Sequence, residues 1–263
     1  MTTMMESVLR LFGAYRIYEG RLKSQILQGE VPAHIGIILD GNRRWAASQG
    51  IAREAGHEMG AEIAEELLDW CHELKIETVT LYVLSTENLQ RTPDEVKELL
   101  SLIEQRLTRL LNDERIYRYR VKVKATGQLD MLPDSIRKLL SEIESRTSGF
   151  GDHYLNIAVA YGGRAEIRDM VKSVAQDVKS GKLAPEQISD ETIEKRLYTS
   201  YLPQQEPDLI IRTSGEERMS GFMLWQGAYS ELVFMDVFWP QFRFIDLMRA
   251  IRTYQQRHRR HGR

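Results

Sequence analysis

Cysteine is nearly absent: Cys71 is the only one in 263 residues. That excludes an intrachain disulfide and a cysteine-based zinc site, and it fits a reducing compartment. Cys71 shares an apolar face with Leu67 and Leu74, so it reads as buried and inert. No apolar run reaches transmembrane length and no signal-peptide pattern occurs, so a cytoplasmic location is expected. Neither sign of charge dominates: 36 Lys and Arg stand against 38 Asp and Glu, for a net charge of −2. That balance carries no global nucleic-acid footprint, and no nucleic-acid partner is expected. Internal repeats, low-complexity segments, a P-loop and a dinucleotide G-x-G-x-x-G are all missing. A hydrophobic content of 42% excludes wholesale disorder, and the length suffices for a substantial core.

The richest stretch present is His34-Ile-Gly-Ile-Ile-Leu-Asp40-Gly-Asn-Arg-Arg-Trp45. An apolar, β-branched run ends in an acid, and a glycine, an amide and two arginines follow at once. The pattern predicts a buried strand that delivers Asp40 to its carboxyl end, with a helix N-terminus opening just beyond. Such an edge presents backbone N–H groups and a positive dipole end to an oxyanion. A bare phosphate would repel Asp40, so an acid there implies a mediating cation. The expected ligand is a diphosphate with a hard metal ion. Taken alone, Asp40 also suits a helix N-cap.

Residues 5–28 form an amphipathic helix candidate, with Val8, Phe12, Tyr15, Tyr18, Leu22 and Ile26 at three- and four-residue steps. Its apolar face can pack on the body, on a partner, or on lipid. The expected division is this helix over 1–30 and a single catalytic domain over 31–263. Within it, strand-like runs near 34–39, 78–84, 119–125, 154–160, 207–212 and 231–237 alternate with helical periodicity. The helical positions are Ile63, Leu67, Trp70 and Leu74; Val96 through Leu110; Ile136, Leu140 and Ile143; and Ile167, Met170 and Val174. That alternation predicts an α/β domain: a mainly parallel six-stranded sheet flanked by helices. Pro93 and Pro133-Asp134 mark helix starts, with Thr92 as the N-cap before Pro93.

In a parallel sheet all carboxyl ends share one edge, and ligands bind outside it. Four exits carry small, hydroxyl, amide and guanidinium groups. They are Asp40 to Arg44; Ser85-Thr-Glu-Asn-Leu-Gln-Arg91; Tyr161-Gly-Gly-Arg164; and Arg212-Thr-Ser-Gly-Glu216 with Arg218 and Ser220. These are the groups that recognise phosphates. One such loop means little, since polar loops are the default; four on one edge imply a site. Arg212 and Arg218 beside Gly215 repel each other unless an anion joins them. The apolar helix face from Val96 to Leu107 could serve equally as ordinary core or as an apolar channel.

These segments resemble the cis-prenyltransferases, the undecaprenyl and dehydrodolichyl diphosphate synthase family. The likeness runs from about Pro32 to Arg260. It also includes Gly56-His57, Leu155 to Arg164, Asp208 to Glu216 and Leu224 to Pro240. The Asp-Asp-x-x-Asp motif of the trans-acting prenyltransferases is absent. The resemblance implies joining of isopentenyl diphosphate to an allylic diphosphate with a new cis double bond. It implies that Gly41, Asn42, Arg43, Arg44 and Trp45 line the allylic diphosphate site and that Arg53 closes over it from the same helix. Asp40 would hold Mg²⁺, with Glu231 as a second metal-linked acid that family members can draw from another subunit. Arg212, Arg218 and Ser220 would take isopentenyl diphosphate. Asn88 and Arg91 would act near the reacting carbons, and Ser85 and His57 would support the leaving group or proton removal. His57 alone reads as a hydrogen-bonded structural histidine.

The chain departs from many bacterial members at Arg43 (glycine), Leu89 (tryptophan), Glu217 (histidine) and Gly221 (asparagine). The departures bear on primer, acceptor and chain length. Arg260-His261-Gly262 resembles an Arg-x-Gly ending that completes a neighbour's pocket, which implies a homodimer. The rival expectations are a subunit that supports a heteromeric synthase, a prenyltransferase with an unusual acceptor or a short product, and a phosphate-binding module without turnover. Reversible membrane contact is expected because long products are insoluble.

Overall fold

The computed structural model describes residues 14–258. Helix α1 (Ala14–Leu27) leads into strand β1 (His34–Ile38), and short α2 (Asn42–Gln49) precedes long α3 (Arg53–Glu73). Then come β2 (Thr78–Ser85), α4 (Pro93–Leu111), α5 (Glu114–Arg118), β3 (Val121–Thr126), α6 (Asp134–Thr147) and β4 (His153–Tyr161). The chain continues through α7 (Gly163–Lys179), α8 (Asp190–Glu194), β5 (Leu209–Arg212), β6 (Glu231–Phe234) and α9 (Phe244–His258). The six strands form one sheet in the order β3-β4-β2-β1-β5-β6, and every neighbouring pair is parallel.

Each strand lies where an apolar run placed it, and the sheet is buried on both faces, as parallel sheets are. All five residues of β1 are buried. Ile35, Ile37, Leu81, Val123, Leu155 and Ile211 join Leu67, Leu107, Ile136 and Ile251 in one continuous core. Cys71 belongs to it, and burial pushes its thiol up, so it is inert. Pro93 sits in the first turn of α4 with Thr92 at the N-cap position, although the Thr92 side chain makes no capping bond.

The stretch after Asp40 forms two helices, which corrects the expectation that Arg53 shares a helix with Arg44. Gly50 ends α2 in a left-handed conformation (φ 66°), its N–H bonding back to Ala46 and Ala47 carbonyls. That is the usual glycine stop, and Arg53 opens α3. Helix α1 packs on α9. Leu22 and Ile26 are buried, whereas Ile17 is 58% and Tyr18 40% exposed. Tyr18 Oη accepts from Arg252 Nη1 at 3.3 Å. Val8, Phe12 and Arg260-His261-Gly262 lie outside the described residues. Among the described residues, no helix is long and apolar enough to cross a membrane.

Candidate active site

The strand exits converge, as the parallel sheet requires, on one polar cavity of about 750 Å³. Asp40 to Arg44, His57, Ser85, Asn88, Arg91, Arg212, Arg218 and Ser220 all line it, together with Glu216 and Gly162 to Ala165. Gly41 makes this convergence possible. Its φ of 107° suits glycine alone, and a Cβ there would meet the Phe238 ring at 2.8 Å and Ser214 Cβ at 2.9 Å. Helix α2 starts directly after it without a side-chain cap, so its first N–H groups remain available for an anion.

Asp40 is half-buried at the lip of β1. Its Oδ2 accepts from Arg212 Nη2 at 2.7 Å, and its Oδ1 lies 3.5 Å from Arg44 Nη2. Burial would raise the Asp40 pKa, but the Arg212 hydrogen bond and charge, Arg44 and Ser214 outweigh it and hold the carboxyl below its usual range. Arg212 is only 5% exposed. Its Nη1 donates to Ser220 Oγ at 2.7 Å and to the Arg218 carbonyl, and its buried Nε has no partner. Arg44 bonds Ser214 Oγ and, at 3.0 Å, Glu216 Oε1, whose other oxygen lies 2.5 Å from Arg218. Thr213 Oγ1 accepts from the Asp40 N–H at 3.1 Å, tying β1 to β5 at the lip.

A second cluster gathers around Glu95. Glu95, 5% exposed on α4, accepts from Arg91 at 2.7 Å and from Arg43 at 3.1 Å, and Arg53 stands 3.6 Å away. Arg53 also pairs with Glu98 at 2.5 Å. Glu98 and Glu54 balance Arg53, whereas Arg43 and Arg91, which line the cavity, share the single Glu95 carboxylate, an arrangement that suits anion capture. Glu216 closes the fourth polar exit of the sequence but had no role of its own there, and Glu95 was not named at all. The i, i+4 spacing of Arg91 and Glu95 is the one local sign that this acid has a partner.

Ser85 and Asn88 clamp the turn after β2. Asn88 Oδ1 accepts from the Ser85 N–H at 2.9 Å, and Ser85 Oγ accepts from the Asn88 N–H at 3.1 Å. This leaves the Asn88 amide nitrogen for a ligand. His57 on α3 has a buried Nε2 without a partner. Burial, Arg91, Arg43 and Arg53 lower its pKa to about 4 against the pull of Glu95, so the free ring is neutral near pH 7.

His57, Leu39, Asn42, Val83 and Leu99 line both this cavity and a second, apolar one of about 180 Å³. The second runs between α3 and α4 over the sheet, past Ala64, Leu81, Leu102, Ile103, Leu107 and Ile157. The charged chamber and the apolar cavity thus adjoin under the α4 face, with five wall residues in common.

Trp45 and Arg53 stand beside the polar cavity and do not line it. Glu231 is the residue that the fold does not bring to Asp40. It pairs in register with Leu209, which pairs with Ile35. Asp40 lies five positions further along that direction, roughly 15 Å at strand rise. Glu231 instead contacts Arg257 at 3.2 Å. Among the described residues, no group of three His, Cys, Asp or Glu could hold a metal.

Known proteins share this architecture and sequence. The protein-family model for undecaprenyl diphosphate synthase matches residues 38–262. A tritrans,polycis-undecaprenyl-diphosphate synthase (geranylgeranyl-diphosphate specific) of Methanopyrus kandleri is 50% identical over 249 residues, covering 95% of this chain and 91% of its own. The enzyme of that name from Methanocaldococcus jannaschii is 48% identical, covering 95% and 89%. An isoprenyl transferase of Thermus thermophilus is 45% identical, covering 95% of each. The crystal structure of lavandulyl diphosphate synthase from Lavandula x intermedia, in complex with dimethylallyl diphosphate, superposes with a TM-score of 0.83. It is 32% identical and covers 86% of this chain and 95% of its own. With the arginine-lined chamber, the adjoining apolar cavity and identity along nearly the whole chain, this protein belongs to the undecaprenyl diphosphate synthase family of cis-prenyltransferases.

Proposed function

We propose that this chain joins isopentenyl diphosphate to geranylgeranyl diphosphate and repeats the step to give a polyprenyl diphosphate with cis double bonds. The observation that carries the reading is that the two cavities adjoin along shared walls: diphosphate groups would fit the arginine-lined chamber, and the growing hydrocarbon would fit the apolar cavity past Leu99. The primer follows the archaeal relatives, whose names specify geranylgeranyl diphosphate.

The uncapped start of α2, with Arg43, Arg44, Arg53 and Arg91, would grip the allylic diphosphate. Its departure builds negative charge, which fixed cations and N–H dipoles stabilise without reorganising. Arg212, Arg218 and Ser220 would hold isopentenyl diphosphate on the opposite wall. The Asn88 amide nitrogen would orient the reacting carbons, with Ser85 fixing its direction. His57, neutral on the wall that the chamber and the apolar cavity share, would accept or donate one hydrogen bond to the leaving group.

Asp40 suits a hard cation. It is ionised, Arg212 engages one of its oxygens, and the other faces the chamber at a longer distance from Arg44. Mg²⁺ takes few protein carboxylates and completes its shell with phosphates and water. When bound, it would neutralise diphosphate charge and so ease cleavage of the carbon–oxygen bond. Because Glu231 lies far from Asp40 in its own chain, any share it has in a diphosphate site would come from a second copy. That supports a homodimer, and Tyr229, 92% exposed just before β6, suits such a contact.

The test is turnover. Purified protein is incubated with labelled isopentenyl diphosphate, Mg²⁺ and geranyl, farnesyl or geranylgeranyl diphosphate, and the products are sized. Polyprenyl products with the longest primer preferred are expected. No product from any primer would overturn the reading, and farnesyl preference would overturn the primer assignment.

A further inference from the structure

We propose that His72 and His153 form a binding site for a borderline divalent metal such as Zn²⁺, at the amino edge of the sheet and away from the chamber at its carboxyl edge. His72 Nδ1 lies 3.3 Å from His153 Nε2. Two nitrogens on a tetrahedral zinc, each roughly 2.0–2.1 Å from the metal, stand about 3.3 to 3.4 Å apart. The fold has already set the pair at ligand spacing.

Both rings are held by contacts that leave these two nitrogens facing each other. His153 opens β4, and its Nδ1 lies 3.2 Å from the Ile76 carbonyl just before β2. A carbonyl only accepts, so Nδ1 carries the proton and Nε2 presents a lone pair. Metal-ligating imidazoles usually make this outer hydrogen bond, which fixes ring and tautomer together. His72 stands in the last turn of α3, where the carbonyl end of a helix favours a cation. Its ring stacks on Tyr119, with 3.9 Å between centroids and 12° between planes. Tyr119 Oη in turn donates to Asp69 Oδ1 at 2.9 Å, one turn back on α3.

Without a metal, His72 Nδ1 donates to His153 Nε2, because two bare lone pairs at that distance would repel. With a metal, the His72 proton moves through water to its outer nitrogen, Nε2, and both rings stay neutral. His72 is exposed, so its ring can swing within the stacking plane until both lone pairs meet at one point. Two imidazoles are the whole protein contribution, and water fills the remaining positions. Imidazole suits zinc, copper and nickel, whereas Mg²⁺ takes oxygen ligands. This is therefore not a second site for the cation proposed at Asp40. From His153 to Gly162, which lines the chamber, the chain runs along β4 for roughly 30 Å at strand rise. The bound ion would clasp the end of α3 to the start of β4 and stabilise the fold without entering the reaction, so the proposal does not depend on the proposed function.

The test uses the full chain, stripped with chelator and dialysed. Zn²⁺ is titrated in by calorimetry at neutral pH, and each protein is melted with and without about 0.1 mM Zn²⁺. The unaltered protein is compared with His72→Ala, His153→Ala and the double variant His258→Ala, His261→Ala, the last because the basic tail holds two further histidines. The unaltered protein and the tail variant are expected to bind Zn²⁺ and to gain about 2 °C or more in melting temperature. His72→Ala and His153→Ala should each weaken this binding by about tenfold or more and lose the gain. The zinc-dependent gain is read within each variant, so a change in basal stability does not mimic the result. Should His153→Ala fail to fold, His72→Ala carries the same test, since His72 is exposed. Absence of zinc binding in the unaltered protein, a gain that survives in His72→Ala, or loss of binding in the tail variant alone would each overturn the site.

Discussion

Arg212 Nη2 stands 2.7 Å from Asp40 Oδ2, joining the exits of β1 and β5 by an ion pair whose cation is almost fully buried. Each charge keeps the other in place before substrate arrives. Removing one leaves the other with a desolvation cost that only a ligand can offset. The pair is therefore both a structural tie and the junction of the two proposed diphosphate sites.

Asp40→Asn separates these two roles. The amide still offers Arg212 an acceptor oxygen but carries no charge for a cation. Turnover is expected to fall by about a hundredfold or more, since such electrostatic contributions amount to several kcal/mol, while the melting temperature moves little. Steady-state rates and a thermal melt on one preparation check this, and an unchanged kcat would remove Asp40 from the chemistry.

Glu95 supplies the second prediction. Without its carboxylate, Arg43, Arg53 and Arg91 face one another as like charges and splay apart. Glu95→Gln should raise the allylic KM by roughly tenfold or more and leave the isopentenyl KM within about twofold. Titration of each substrate in turn distinguishes this from general loss of structure, which would move both.

The strands were legible because a parallel sheet, buried on both faces, writes itself as near-continuous apolar runs; Ile35 to Ile38, broken only by Gly36, and Leu209 to Ile211 are such runs. The convergence of the polar exits followed, because topology brings all carboxyl ends to one edge. Less was legible where partners are remote in sequence. Glu95 meets Arg43 and Arg53 only after α2, α3 and α4 pack together, and Glu166, in the first turn of α7, meets Gln226 only after the sheet has formed. The break between α2 and α3 rests on one backbone angle at Gly50, which periodicity does not sense. Glu231 matched a family motif, but register places it at the amino edge of the sheet, away from Asp40.

Acid stability gives a third prediction. His34 is fully buried, its Nε2 beside Thr80 Oγ1 at 2.8 Å and its Nδ1 beside the Gln204 carbonyl at 3.1 Å. Burial lowers its pKa to about 4, despite the Gln204 carbonyl and Asp208. The unfolded chain takes up this proton near pH 6.5 and the folded chain does not, so stability is complete above that pH and declines as pH falls toward 4. A depression of this size corresponds to about 3 kcal/mol, and His57, depressed in the same direction, adds to the same window. The depressed carboxylates Asp40 and Glu95 lose their contribution only below about pH 4. Denaturant unfolding at pH 7 and pH 4.5 should show the decline, and His34→Gln should flatten it. A slope that persists unchanged in that variant would assign the effect elsewhere.

The apolar cavity between α3 and α4 yields the last prediction, about product length. Ala64 on α3 lines it together with Leu102 and Ile103 on α4. The sheet beneath, with Leu81 and Ile157, is close-packed and cannot yield. A phenyl ring at position 64 would fill space that the growing chain needs, whereas the proposed diphosphate chamber, which Ala64 does not line, would keep its shape. Ala64→Phe should therefore leave the rate of the first condensation within about threefold and shift the products to shorter chains, because added methylenes would meet overlap instead of favourable burial. Single-turnover rates and chromatographic sizing of products separate the two effects. Products of undiminished length from a folded Ala64→Phe protein would mean that the hydrocarbon leaves the chamber by another path and that the apolar cavity is ordinary core.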